Sequence, residues 1–184
     1  MLVRAVILLL VAATCGSVAT AGELSAVERR IVDHVAAGND AALTLLARTV
    51  DINSGTLNFD GVRQVGAIFA AELEKLGFTT RWIDGEPFAR AGHLVAERQG
   101  SGVGGSGPGS GPHLLLIGHL DTVFELDSPF QRFQRLNADE AAGPGTTDMK
   151  GGDVVMLAAL RALAAAGELD GLRLTVVLTG DEEK

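Results

Sequence analysis

The sequence predicts an α/β domain, and three segments carry that prediction. Leu114–Ile117 and Leu172–Leu178 are short apolar runs of the kind found in buried strands. Between them, Gly152–Ala166 is apolar almost all round, interrupted only by Asp153 and Arg161, and Gly167 ends it. A helix so apolar packs between a sheet and another element. Strand, crossover helix, strand implies a right-handed parallel pair.

The remaining elements follow in chain order. Leu24, Val27, Ile31, Val32 and Val35 have helical spacing and predict a helix from Leu24 to about Ala36. Asn39 or Asp40 can cap a second helix, carrying Leu43, Leu45, Leu46 and Val50. Asp51–Thr56 reads as a loop. Asp60 can cap a third helix with Val62, Val65, Ile68, Phe69, Leu73 and Leu76 on its apolar face, and Gly77 is a natural stop. Phe78–Ile83 and His93–Arg98 read as strands. Residues 99–112 are rich in Gly, Ser and Pro and read as a flexible connector. No Gly-Lys-Ser/Thr follows this stretch and no helix opens after it, which argues against a phosphate loop and a small binding module built on one.

Composition narrows the function classes. The 184 residues, 47% hydrophobic and 21% charged, suit one globular domain rather than a disordered chain. There are 15 Lys and Arg against 23 Asp and Glu, a formal net charge of −8, with no basic run. No nucleic-acid partner is expected from such a chain. One cysteine, Cys15, excludes a disulfide framework and a cysteine zinc site. Any metal must be held by His, Asp and Glu. Residues 1–21 combine Arg4, an apolar run from Ala5 to Ala13 and a terminal Ala19-Thr20-Ala21, which predicts a cleaved secretory signal. The run is too short to span a bilayer. A periplasmic or secreted chain of residues 22–184 is expected, with no membrane association after cleavage.

Three clusters carry candidate chemistry. Gly118-His119-Leu120-Asp121-Thr122-Val123 starts where the first buried strand ends, and a carboxylate two residues from a histidine can orient its ring. Gly143-Pro144-Gly145-Thr146-Thr147-Asp148-Met149-Lys150-Gly151-Gly152 leads into the apolar helix, with Asp148 rather far ahead of it for a simple cap. Asp181-Glu182-Glu183 follows the last strand. Adjacent carboxylates at a strand end repel one another, and a divalent cation removes the conflict. Ligands of open α/β sheets collect at the carboxyl ends of strands, which is where the first and third clusters fall.

In this order, with Ile52-Asn53-Ser54-Gly55-Thr56 and Leu73-Glu74-Lys75-Leu76-Gly77-Phe78 upstream, the sequence resembles the zinc exopeptidases of the carboxypeptidase G, acetylornithine deacetylase, succinyl-diaminopimelate desuccinylase and aminoacylase family, above all its glutamate carboxypeptidase branch. The resemblance implies a three-layer catalytic domain with a central mixed, largely parallel sheet flanked by helices. It implies two zinc ions, with cobalt or manganese as possible substitutes. His119 and Glu183 would each ligate one zinc and Asp148 would bridge the two. Glu182 would be the general base toward the water that the zincs activate, and Asp121 would orient His119. The implied reaction is hydrolysis of a peptide or N-acyl amino acid amide, with release of a C-terminal glutamate as the branch-specific form.

The family continues past its Asp-Glu-Glu motif with a further acidic ligand, a late histidine and a lid domain that dimerises. This sequence ends at Lys184 without them, and His34, His93 and His113 read as structural or surface residues. The expectation is therefore an N-terminal fragment that is inactive alone, with a homodimer only in a full-length form. The alternative is a non-catalytic truncated α/β domain with a residual metal site. The strand Leu172–Leu178 is expected to form an unpaired apolar edge, with the acidic trio frayed beyond it.

Overall fold

The computed structural model describes residues 23–101 and 112–184. The signal-like segment 1–21 and most of the Gly-rich connector lie outside the described residues. Among the described residues, no helix is long and apolar enough to cross a membrane.

Helix α1 spans Ala26–Val50 without a break. Ser25 and Glu28 form a reciprocal capping box at its start, with Glu28 N donating to Ser25 Oγ at 3.2 Å and Ser25 N to Glu28 Oε2 at 2.6 Å. The two helices expected here are thus one. Gly38 in mid-helix costs about 1 kcal/mol against alanine, but α1 packs along α3, Lys150–Ala166, and buries Leu45, Thr49 and Val50. That packing outweighs the local propensity to stop. Helix α2 spans Phe59–Glu74 and is capped by Asn58, whose Oδ1 accepts from Gly61 N, rather than by Asp60. Gly77 takes a left-handed φ of 81° just beyond it.

Strands β1 (Thr79–Asp84), β2 (Gly92–Arg98), β3 (His113–His119) and β6 (Arg173–Thr179) form a sheet in the order β1-β2-β6-β3. A short hairpin, β4 (Gln134–Arg135) with β5 (Ala141–Ala142), lies apart from it. The crossover through α3 joins β3 to β6 in parallel, with His119 opposite Thr179, as expected. The pairs β1–β2 and β2–β6 are antiparallel. The sheet is mixed, but among the described strands β3–β6 is its only parallel pair. The expected apolar edge at β6 is corrected as well. The connection through residues 99–112 carries the chain from β2 to β3 without pairing them, and β6 inserts between the two. The edge is β3, where Leu115 and Ile117 are 58% and 64% exposed.

The core lies on one face of this sheet. Leu94, Ala96, Leu174, Val176 and Leu178 pack against Val62, Val65 and Phe69 of α2 and Val154, Leu157 and Leu160 of α3. Trp82 fills the space left by Gly66, where a Cβ would fall 2.5 Å from its ring. The described residues thus form the sheet, one helical layer and α1 packed on α3. This arrangement anchors the carboxyl ends of β3 and β6 and the start of α3 next to one another.

Candidate metal centre

His119 ends β3 and is nearly buried. The following turn is tied down on two sides. Leu120 N donates to Thr179 O at 2.7 Å, and Thr122 N donates to Ser54 O at 2.9 Å. Ser54 Oγ donates to Leu120 O at 2.8 Å. The loop Asp51–Thr56, an unassigned connector by sequence, is therefore the clamp that fixes the His-Leu-Asp turn.

Asp121 is fully buried and joins three parts of the chain. Its Oδ2 accepts from Thr56 Oγ1 at 2.7 Å and from Glu183 N at 3.1 Å. Its Oδ1 accepts from Glu182 N at 3.1 Å and lies 3.4 Å from His119 Nδ1, which also meets Asp121 O at 3.1 Å. The acidic trio is thus pinned through its backbone rather than frayed. Burial alone would push the Asp121 carboxyl up, but the bonds from His119, Thr56 and the two glutamate amides hold it below its ordinary pKa.

The other ring nitrogen, His119 Nε2, faces the remaining carboxylates. It lies 3.0 Å from Asp148 Oδ1 and 4.0 Å from Glu182 Oε2. His119, Glu182 and Glu183 each present a ligand atom within 4.8 Å of the others. The hydrogen bond to Asp121 raises the imidazole pKa most, against burial, and Asp148 adds to it, bringing it to about 9. Burial pushes the Glu183 carboxyl up and the charge of Asp148 adds to that shift. Crowded carboxylates around one imidazole make a donor set of O and N atoms, which suits Zn²⁺ and relieves the mutual repulsion once a cation enters.

Asp148 does not cap α3. Met149 occupies the cap position without a side-chain bond, and the Asp148 side chain stays 72% exposed toward His119. The glycines of this loop have steric reasons. A Cβ on Gly151 would meet Thr146 O at 2.1 Å, and Gly145 has a φ of 78°. Lys150 is buried, and its Nζ donates to Thr49 O at 2.9 Å and Ile52 O at 3.0 Å. It fastens α3 to the end of α1, and burial lowers its pKa to about 8.

All five residues singled out by sequence, His119, Asp121, Asp148, Glu182 and Glu183, meet at this site. Asp181 turns away and pairs with His93, Nδ1 to Oδ1 at 3.6 Å. His113 bonds Thr175 on the open sheet face, and His34 lines a groove between α1 and α3. Sequence reasoning missed Ser54 and Thr56, whose hydroxyls act across more than 60 residues. It also passed over Asp153, although an acidic residue within an apolar helix was a visible signal.

Residues 115–184 match the family model described as peptidase family M20/M25/M40. Over this stretch the chain is similar to that family. Carboxypeptidase G2 of Pseudomonas sp. (strain RS-16) is 32% identical over 176 residues, covering 95% of this chain and 40% of the relative. Succinyl-diaminopimelate desuccinylase of Sphingopyxis alaskensis is 37% identical over 130 residues, covering 64% of this chain and 30% of the relative. Among solved structures, the dipeptidase Dug1p of Saccharomyces cerevisiae aligns with a TM-score of 0.68 at 17% identity, over 85% of this chain and 35% of that one. Human carnosine dipeptidase 1 aligns with a TM-score of 0.67 at 20% identity, over 84% and 35%. The structural likenesses establish the fold. The chain spans 40% or less of the length of each of these proteins.

Proposed function

We propose that this chain supplies the metal-holding half of a metal-dependent amidohydrolase, which cleaves a peptide or N-acyl amino acid amide bond. The observation that supports it best is Asp121, whose one carboxylate links His119, Glu182 and Glu183. The relatives' names, a carboxypeptidase and a desuccinylase, point to the same bond type.

In this reading His119, through Nε2, and Asp148 and Glu183 would hold zinc. Bound zinc supplies Lewis acidity, which polarises a carbonyl and lowers the pKa of water. The protein residues do the rest. Asp121 fixes the imidazole through Nδ1 so that Nε2 points into the site. Glu182 takes the proton of the attacking water on its carboxylate and returns it to the leaving nitrogen. The backbone bond from Glu182 N to Asp121 leaves its side chain free for that work.

Release of a C-terminal glutamate is the proposed specificity, resting on the likeness to carboxypeptidase G2. Export with cleavage after Ala21 belongs to the same proposal. The chain of 184 residues is proposed to be inactive by itself, because among the described residues the cluster of His119, Glu182 and Glu183 lacks the further acidic ligand and second histidine that the resemblance implies. Zinc titration followed by an assay of glutamate release from an N-acyl glutamate tests these points. Zinc uptake without turnover is the expected result. No uptake would refute the metal reading, and chelator-sensitive turnover would refute the inactivity.

A further inference from the structure

We propose that Asp153 is a buried positioning residue of the metal site, a carboxylate beneath His119 that strengthens metal binding without touching the metal. The inference rests on the reading that His119, Asp148 and Glu183 hold zinc. Asp153 lies in the first turn of α3, on the face turned to the sheet, and is fully buried. Among the described residues neither of its carboxylate oxygens has a hydrogen-bond partner. Its Oδ1 lies so close beneath Gly118 that a Cβ there would approach to 2.2 Å. Leu178 of β6 and Met149 close the same space, so the pocket floor is apolar. The charged groups acting on it are His119 from β3 and Lys150 from its own helix.

This placement is costly for an ordinary core residue. A buried polar group without a partner destabilises a fold by roughly 1–3 kcal/mol, more when charged. Such exceptions call for a specific explanation, and a functional role is one. The Lys150 ammonium is committed to two carbonyls of the Thr49–Ile52 turn and gives Asp153 no hydrogen bond. The other neighbour is the residue that joins β3 to the site. When ionised, a carboxylate in an apolar floor is little screened by water, so it then acts on His119 and on any cation beyond it. Gly118 permits the approach, since any side chain at that position would displace the carboxylate.

The test uses the 184-residue chain, titrated with zinc chloride by calorimetry and melted in chelator. Asp153→Asn keeps the shape and removes the charge. Zinc affinity should fall on the order of tenfold, while the metal-free melting temperature stays level or rises. Opposite signs separate this role from a structural one, which would lower both. Unchanged zinc affinity, or a fall in both quantities, overturns the proposal. Should Asp153→Asn not fold, Asp153→Ser is judged by the same pair of measurements. If the parent chain takes up no zinc, the metal reading itself fails and the proposal with it. That result is distinct from one in which the parent binds and Asp153→Asn binds equally well.

Discussion

Two aspartates on either side of His119 are equally buried and have opposite surroundings. Asp121 accepts from Thr56, Glu182, Glu183 and His119, and its pKa stays below the ordinary value. Asp153 accepts from none of the described residues, and burial pushes its pKa up to about 7. Burial therefore does not decide the state of a carboxyl here; the donors around it do. Asp121 organises the site through bonds. Asp153 can act on it only through space.

Replacing Asp121 by alanine should have the largest effect. It leaves two amides and a buried imidazole without their acceptor, and removing one member of such a buried network costs about 3–5 kcal/mol. Urea melts should show that loss, and zinc uptake should disappear with it. A loss under 1 kcal/mol would mean that Asp121 is not the hub. Next comes Gly118→Ala, whose methyl would strike Asp153 Oδ1. It should destabilise the chain by about 1–3 kcal/mol, as overpacking does. Asp153→Ala should restore much of that loss in the double variant. Additive losses would show that the two positions do not touch.

The contrast also predicts a pH dependence. Asp153 has a folded pKa of about 7 against an ordinary 3.8, so the folded chain holds the extra proton between these values. Stability from this group is greatest at low pH and falls as pH rises toward 7. The contribution of His119, with a folded pKa of about 9 against 6.5, is complete below 6.5 and is lost as pH rises through 9. Lys150 has the opposite sign between about 8 and 10.5, where the unfolded chain holds the proton. In metal-free melts between pH 5 and 7 the Asp153 decline is joined by those of Glu183 and, above 6.5, His119, so the difference between the parent and Asp153→Asn gives the Asp153 part. Asp153→Asn should flatten the decline there by on the order of 1–2 kcal/mol. An unchanged slope would place the Asp153 pKa near its ordinary value. The smallest effect is expected of Thr56→Val, which removes one donor to Asp121 and should cost about 1 kcal/mol. It should also bring the Asp121 pKa upward, readable by NMR titration. No shift would show that the remaining donors suffice.

Much of this arrangement was legible in the sequence because it is local. Strand, apolar helix and strand follow one another directly, and His119, Asp148 and Glu183 sit where those elements start or end. What was not legible depends on pairing at a distance. The insertion of β6 between β2 and β3 is a matter of which strand finds which, and an apolar run reads the same at an edge or in the middle. The continuity of α1 through Gly38 and Asn39 depends on α3 lying alongside. The support from Ser54 and Thr56 comes from a loop with no periodicity to read. Asp153 is the instructive case, since its spacing along α3 put a carboxyl on the sheet side of an apolar helix, but only the fold shows that nothing there bonds to it.

In the proposed reading these motifs assemble one metal site in which Asp148 and Glu183 are ligands and Glu182 is a base. It is tested most directly by measuring bound zinc in the parent chain and in Asp148→Ala, Glu183→Ala and Glu182→Ala after equal exposure to zinc and gel filtration. Zinc is expected in the parent and in Glu182→Ala, with its loss from the other two. Equal zinc loss in Glu182→Ala and Asp148→Ala would contradict the division of roles, and no zinc in the parent would contradict the site.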